Sequence, residues 1–159
     1  MPPRSTRLPS AEAGAPASAA LREGALADLV GYRLKRAHMR FRGSAIAALA
    51  PHDVRLLPLI CLAVIVANPG VSPSDLSEML GIERPNMVVF VDELESRDLV
   101  TRSPSRTDRR RITLTATVKG RRLHDRAVAD IKAQDQRMMA ALSPGERIEF
   151  ARMLHLVQD

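Results

Sequence analysis

The chain has 159 residues, of which 45% are hydrophobic but only 3% aromatic, with no Trp and one Tyr. That is enough apolar material for one sizeable core, and an aliphatic core favours helices over a β-sandwich. Net charge is +6, and of 24 cationic residues only Lys35, Lys119 and Lys132 are lysine. A planar guanidinium fork suits phosphate, so the balance points toward nucleic acid, while a G+C-rich genome accounts for the Arg/Lys ratio equally well.

Residues 1–20, "MPPRSTRLPSAEAGAPASAA", are rich in Pro, Ala and Ser and lack a compact apolar stretch. They read as a disordered tail rather than a signal peptide, which makes a cytoplasmic chain the expectation. Residues 21–50 repeat Leu26, Leu29, Val30, Ala37 and Phe41 at helical spacing, which predicts a long helix with Gly43 as a candidate break and Pro51 as its end. Asp53 to Ala67 is apolar on nearly every face and predicts a helix at the centre of the core. Its 12-residue run "LLPLICLAVIVA" is too short to span a bilayer, so no membrane role is expected. Pro58 is tolerable there in the first or second turn, and Cys61, the single cysteine, rules out an internal disulfide and reads as a buried thiol.

"VSPSDLSEMLGI" holds a complete helix-start signature: Ser72 as N-cap, Pro73 at the first helical position, Asp75 for a capping box, and Gly81 as the stop. Leu76, Met79 and Leu80 are its expected buried face. A helix over Glu83–Arg97 follows, with Met87, Phe90, Val91 and Leu94 spaced i, i+3, i+4, i+7 as one core-facing stripe. "LVTRS" and "RRITLT" flank "PSRTDR" as a β-hairpin. Thr117 caps a long helix to about Leu142, and Ser143 with Glu146 starts a last one. The fold class is therefore mainly α with a small β-hairpin wing: a winged helix-turn-helix over 51–116, flanked by helices over 21–50 and 117–159 that leave apolar stripes for dimerisation. Ala127, Ile131 and Met138 are the expected interface residues of the long helix.

A short helix, a Gly turn, a second helix and a basic hairpin is the order of a DNA-binding module. Its second helix enters the major groove, and the hairpin reaches the backbone or the adjacent minor groove. From Arg97 to Arg111 six arginines stand against two aspartates. A solvated loop has no need of that excess, whereas a wing laid along phosphates does. Arg106, Arg109, Arg110 and Arg111 are thus expected DNA contacts. Ser72 and Ser74, at a helix N-terminus, are candidates to meet phosphate through backbone N–H groups, against plain capping.

"DLSEMLGIERPNMVVFVDELESRDLVTRSPSRTDRRRITLTATVKGRRL" resembles the core of MarR-type regulators, which are dimeric bacterial winged-helix transcription factors that usually respond to small molecules. The resemblance rests on the Leu-Gly-Ile turn, "VDELE" late in the second helix, "LV" and Arg opening the wing, and "DRR" at its tip. The order of the flanking helices extends it over about residues 21–158. It implies Arg84, Pro85, Asn86, Val88 and Val89 as groove-facing residues, and Asp108 with Arg110 as the wing signature. It also implies a pseudo-palindromic double-stranded operator, a homodimer built by the first and last helices, and an effector bound between that interface and the DNA-binding lobe. Asp98 stands where the family usually has Gly, at a position favouring left-handed backbone. Ala116 stands where Leu is common, and Val88 and Val89 where polar residues are frequent; valine methyls suit thymine.

Arg33, Arg36 and Arg40 form a cationic stripe on the first helix. It reads as a solvated face, or as the anchor of an anionic effector such as an aromatic carboxylate or its coenzyme A thioester. The four histidines lack metal-ligand spacing, so no metal or cofactor is expected. No nucleophile–base constellation or Gly-rich phosphate loop appears, so the expected protein is a ligand-responsive repressor and not an enzyme. The alternatives are an architectural DNA-binding protein without an effector, and a winged helix that binds protein or RNA.

Overall fold

The structure is a computed structural model that describes residues 24–105 and 111–157. The expected tail over 1–20 and the wing-tip residues Arg106, Asp108, Arg109 and Arg110 lie outside the described residues. The chain divides into two compact units, one up to Lys35 and one from Arg36 onward. A 3₁₀ turn over Gly24–Asp28 lies in the first and precedes α1 (Val30–Leu49), within which the boundary falls. The expected helix from residue 21 is thus interrupted before Val30, whereas it runs unbroken through Gly43.

The second unit is built around α2 (Leu56–Ala67). Asp53, at φ +50°, ends a 3₁₀ turn over Ala50–His52, so α2 starts three residues later than expected and Pro58 falls in its first turn, where no N–H is needed. Because α2 is apolar all round, Leu59, Cys61, Leu62 and Ile65 are buried. They meet Leu76 of α3 (Pro73–Leu80), and Met87, Val91 and Leu94 of α4 (Arg84–Ser96). The expected stripe of α4 is thereby confirmed, with Phe90 half-buried at its edge. On α3 the buried pair is Leu76 and Ser77, whereas Met79 is 68% exposed. Ser77 Oγ donates to the Ile82 carbonyl, which turns the face inward by one residue.

Both short helices close with the same C-terminal geometry. Ile82 N–H donates to the Ser77 carbonyl and Gly81 N–H to that of Glu78; Leu99 N–H donates to Leu94 and Asp98 N–H to Glu95. Such closures need a left-handed residue, and Gly81 (φ +60°) and Asp98 (φ +57°) supply it. The wing strands β1 (Val100–Pro104) and β2 (Ile112–Ala116) pair antiparallel, Val100 opposite Ala116 and Pro104 opposite Ile112. β2 also pairs with the α2–α3 turn: Leu114 N–H donates to the Val71 carbonyl and Gly70 N–H to that of Leu114, both at 2.8 Å.

α5 (Val118–Met138) begins at Thr117, whose Oγ1 accepts from Gly120 N–H at 2.9 Å. Gly120 is pressed against the wing root: a Cβ there would lie 2.0 Å from the Leu99 carbonyl oxygen. α5 stops at Met138, short of Leu142, because Arg147 of α6 (Pro144–Leu156) donates to the Met139 and Leu142 carbonyls at 3.1 and 3.0 Å. Ala127, expected at a dimer interface, is fully buried in the chain's own core, with Ile131 packed against it. No single described helix is long and apolar enough to cross a membrane.

Candidate nucleic-acid interface and adjoining cleft

α4 separates two chemistries along its length. Its first turns expose Arg84, Pro85, Asn86, Val88 and Val89 around the buried Met87. Neither Arg84 nor Asn86 has a side-chain partner among the described residues, so both are available to base edges or phosphate. Val88 and Val89 are 50% and 55% exposed, an apolar surface that water would otherwise wet. The later turns carry Asp92, Glu93 and Glu95, and each carboxylate is matched by an arginine. Arg102 of β1 reaches Asp92 at 2.5 Å and Glu95 at 2.6 Å, and Arg55 pairs with Glu93. The negative charge of α4 is thus neutralised at the end away from Arg84, and the same arginines brace the helix against β1 and α2.

The N-terminus of α3 is closed by its own cap. Ser72 Oγ accepts from Asp75 N–H at 3.2 Å and Asp75 Oδ2 accepts from Ser72 N–H at 3.4 Å. Ser72 is buried, so Ser74, which is exposed, is the residue of this turn with a backbone N–H left for an outside acceptor. The hydrogen bond from Ser72, together with Arg111, holds the Asp75 carboxyl below the usual carboxylate range. Arg111 Nη2 lies 3.4 Å from both Asp75 oxygens and 3.5 Å from Ser72 Oγ. Arg111 therefore ties the foot of the wing to the helix-turn-helix instead of extending free from the hairpin.

Arg33 donates Nε to the Ala27 carbonyl, while Arg36 and Arg40 are exposed on α1. The cation of α1 that lines a cavity is a different one, Arg42. A cleft of about 880 Å³ opens between the end of α1, the 50–55 connector, the start of α2, and α4. Its apolar wall comes from Ile46, Leu49, Val54, Leu57 and Pro58, with Phe90 on the α4 side. Arg55 stacks over the Phe90 ring, 5.8 Å from its centroid, and Arg97 donates to the Asp53 carbonyl at 2.5 Å. Sequence reasoning missed this group because α1, α2 and α4 contribute only two or three residues each, and only the tertiary fold brings them together. The partial signal was Phe90, the one aromatic on an aliphatic stripe.

Cys61 is fully buried, its Sγ 3.9 Å from Met87 Sδ, and burial pushes its thiol up to about 11. His52 Nε2 lies 2.7 Å from Asp130, and His124 Nδ1 reaches the adjacent Asp125 at 2.9 Å. Among the described residues no cluster of His, Cys, Asp or Glu could hold a metal ion.

Comparison with known proteins places this geometry. A model of the MarR family matches residues 52–111. An HTH-type transcriptional repressor of Mycobacterium tuberculosis, Rv2887, is 33% identical over 125 residues, 79% of this chain and 90% of that protein. Among solved structures, the transcriptional repressor CouR bound to a 23-mer DNA duplex superposes with a TM-score of 0.81 at 34% identity, over 87% of this chain and 99% of that one. CouR from Rhodococcus jostii RHA1 bound to p-coumaroyl-CoA gives 0.73 at 30% identity, over 84% and 94%. The M. tuberculosis Rv2887 complex with p-aminosalicylic acid gives 0.70 at 30% identity, over 82% and 99%. With its capped α3, two-faced α4 and Arg-rich hairpin, this chain belongs to the MarR family of winged helix-turn-helix transcriptional regulators.

Proposed function

We propose that the protein is a homodimeric repressor that binds a pseudo-palindromic DNA operator in the cytoplasm and is released from it by a small anionic effector. The observation that carries the reading is the division of α4. One face, Met87, Val91 and Leu94, fixes the helix in the core, and the other presents Arg84, Asn86, Val88 and Val89 to solvent. In the major groove Asn86 reads a base edge, Arg84 a guanine or a phosphate, and the valines contact thymine methyls, with Pro85 setting the helix entry. Ser74 N–H and the wing arginines Arg106, Arg109 and Arg110 hold the backbone, Asp108 orients Arg110, and Arg111 with Ser72 fixes the wing's foot. Relatives solved with a DNA duplex, with p-aminosalicylic acid and with p-coumaroyl-CoA support an aromatic acid or its thioester as effector class. The cations of α1, with Arg33, Arg36 and Arg40 as the expected stripe, supply its attraction. The role is regulatory rather than enzymatic.

The test is selection from a random duplex library followed by titration of variants. Wild type should enrich a two-fold-related site with half-sites about one helical turn apart. Asn86→Ala should relax preference at one base position per half-site, while Arg110→Ala should cost about 1–3 kcal/mol across that site. Failure to enrich any site, with equal binding to random DNA, would leave an architectural protein as the reading.

A further inference from the structure

We propose that Asp75 sets the strength of DNA binding: in the free protein it holds Arg111 in the place of a backbone phosphate, and it gives the arginine up when a duplex arrives. The proposal rests on the reading of the wing as an element that meets DNA, and it concerns the exchange that such a contact requires.

The pair joins two elements assigned to the DNA backbone. Asp75 lies in the first turn of α3, one residue after the exposed Ser74, and Arg111 stands immediately before β2. The contact between them is loose. Arg111 Nη2 makes all three approaches, 3.4 Å to each Asp75 oxygen and 3.5 Å to Ser72 Oγ. A charge-assisted bond of full strength is shorter, at about 2.7–2.9 Å. Both side chains are more than half exposed. Arg102 shows the contrast in the same hairpin: it meets Asp92 at 2.5 Å and Glu95 at 2.6 Å through separate nitrogens, and its side chain is 30% exposed. Arg102 is built into the joint with α4, whereas Arg111 reaches Asp75 through one nitrogen in open water, where an ion pair is weak and readily exchanged.

The charge of Asp75 opposes the ligand as well as competing with it. The Ser72 hydrogen bond, with Arg111, holds its carboxyl below the usual carboxylate range, so it is ionised at neutral pH. A phosphate that takes over the guanidinium leaves Asp75 facing a like charge. Binding by the wild-type protein therefore carries both the loss of the pair and the repulsion. The cap is separable from this charge. An asparagine Oδ1 still accepts from Ser72 N–H, so Asp75→Asn removes the charge and keeps the acceptor of the capping box.

The experiment is fluorescence-anisotropy titration of the full-length protein on a duplex of random sequence, over a series of salt concentrations. A phosphate contact carries no sequence information, so no operator is needed. Asp75→Asn should tighten binding about fivefold, an outcome that loss of structure cannot imitate. Arg111→Gln should weaken binding and lower the slope of log affinity against log salt by about one. In the Arg111→Gln background Asp75→Asn should gain only about twofold, because the repulsion alone is left to relieve. Unaltered or weaker binding in Asp75→Asn, an unchanged slope in Arg111→Gln, or an equal or larger gain in the double variant would each overturn the proposal. The last two would mean that Arg111 stays on Asp75 in the complex. A wild-type protein that binds no duplex would overturn this exchange and the DNA-binding reading together, whereas a wild type that binds with its variants alike would overturn the exchange alone. A protein that gains affinity in Asp75→Asn through Arg111, yet enriches no operator, would keep the exchange and refute the site-specific repressor.

Discussion

Cys61 shows how a single side chain can be silenced by its surroundings. A thiol reacts as its thiolate, and desolvation by the aliphatic core disfavours that charged form. The folded protein should therefore resist iodoacetamide at pH 8, and the same chain in urea should be alkylated quickly; equal rates would place Cys61 at the surface. The sign of the linked stability follows from the raised value. Above the ordinary thiol pKa of 9.0 the unfolded chain loses this proton while the folded one keeps it until about 11. Over that window the Cys61 contribution to stability falls as pH rises, and Cys61→Ala should flatten that part of a pH–melting profile. Arg111 makes the complementary point among exposed groups. Arg111, expected among the DNA contacts, also reaches the two side chains of the α3 cap, and only the fold reveals that Ser72, Asp75 and Arg111 meet.

At the scale of elements, the joint between the wing and α5 is the one place where a described glycine is pressed against another element's backbone. Gly120→Ala should cost about 3 kcal/mol, since the Leu99 carbonyl facing it is backbone held by Thr117 N–H and cannot turn away. A melting temperature within a few degrees of wild type would mean that the joint is looser than this. What could be read beforehand follows the same division between local and distant. Ser72, Pro73, Asp75 and Gly81, like Ser143 and Glu146, mark helix ends through bonds made within four or five residues, so their sequence signatures sufficed. The left-handed closure at Asp98 was expected only from the family resemblance, which places Gly there. Gly120 was not, because its constraint comes from Leu99, packed against it across the wing. The α4 stripe was clear from spacing, but the Arg42–Phe90 cleft draws on three helices, and the burial of Ala127 within the chain was not legible because a small residue on a long amphipathic helix fits a core and an interface equally.

At the scale of the whole chain, exposed apolar groups on the terminal elements ask for a partner. Leu26, Leu29, Val30 and Leu34 stand out in the first unit, and Ile148 (73% exposed), Met153, Leu156 and Val157 on and beyond α6. Uncovered surface of this kind marks interaction sites. Light scattering at micromolar concentration should give twice the chain mass, and Ile148→Asp should shift it toward one. A wild-type monomer would remove the two-fold operator with it. The close fit of Gly120 on Leu99 has a mechanical consequence for such a dimer. With no slack at the wing root, α5 acts as a rigid lever fastened to the hairpin. A helix of 21 residues is roughly 30 Å long, so a shift of about 2 Å at its far end swings the root by roughly 4°. Small displacements at the far end of α5 would thus be carried as a rotation to the root of the Arg-rich wing.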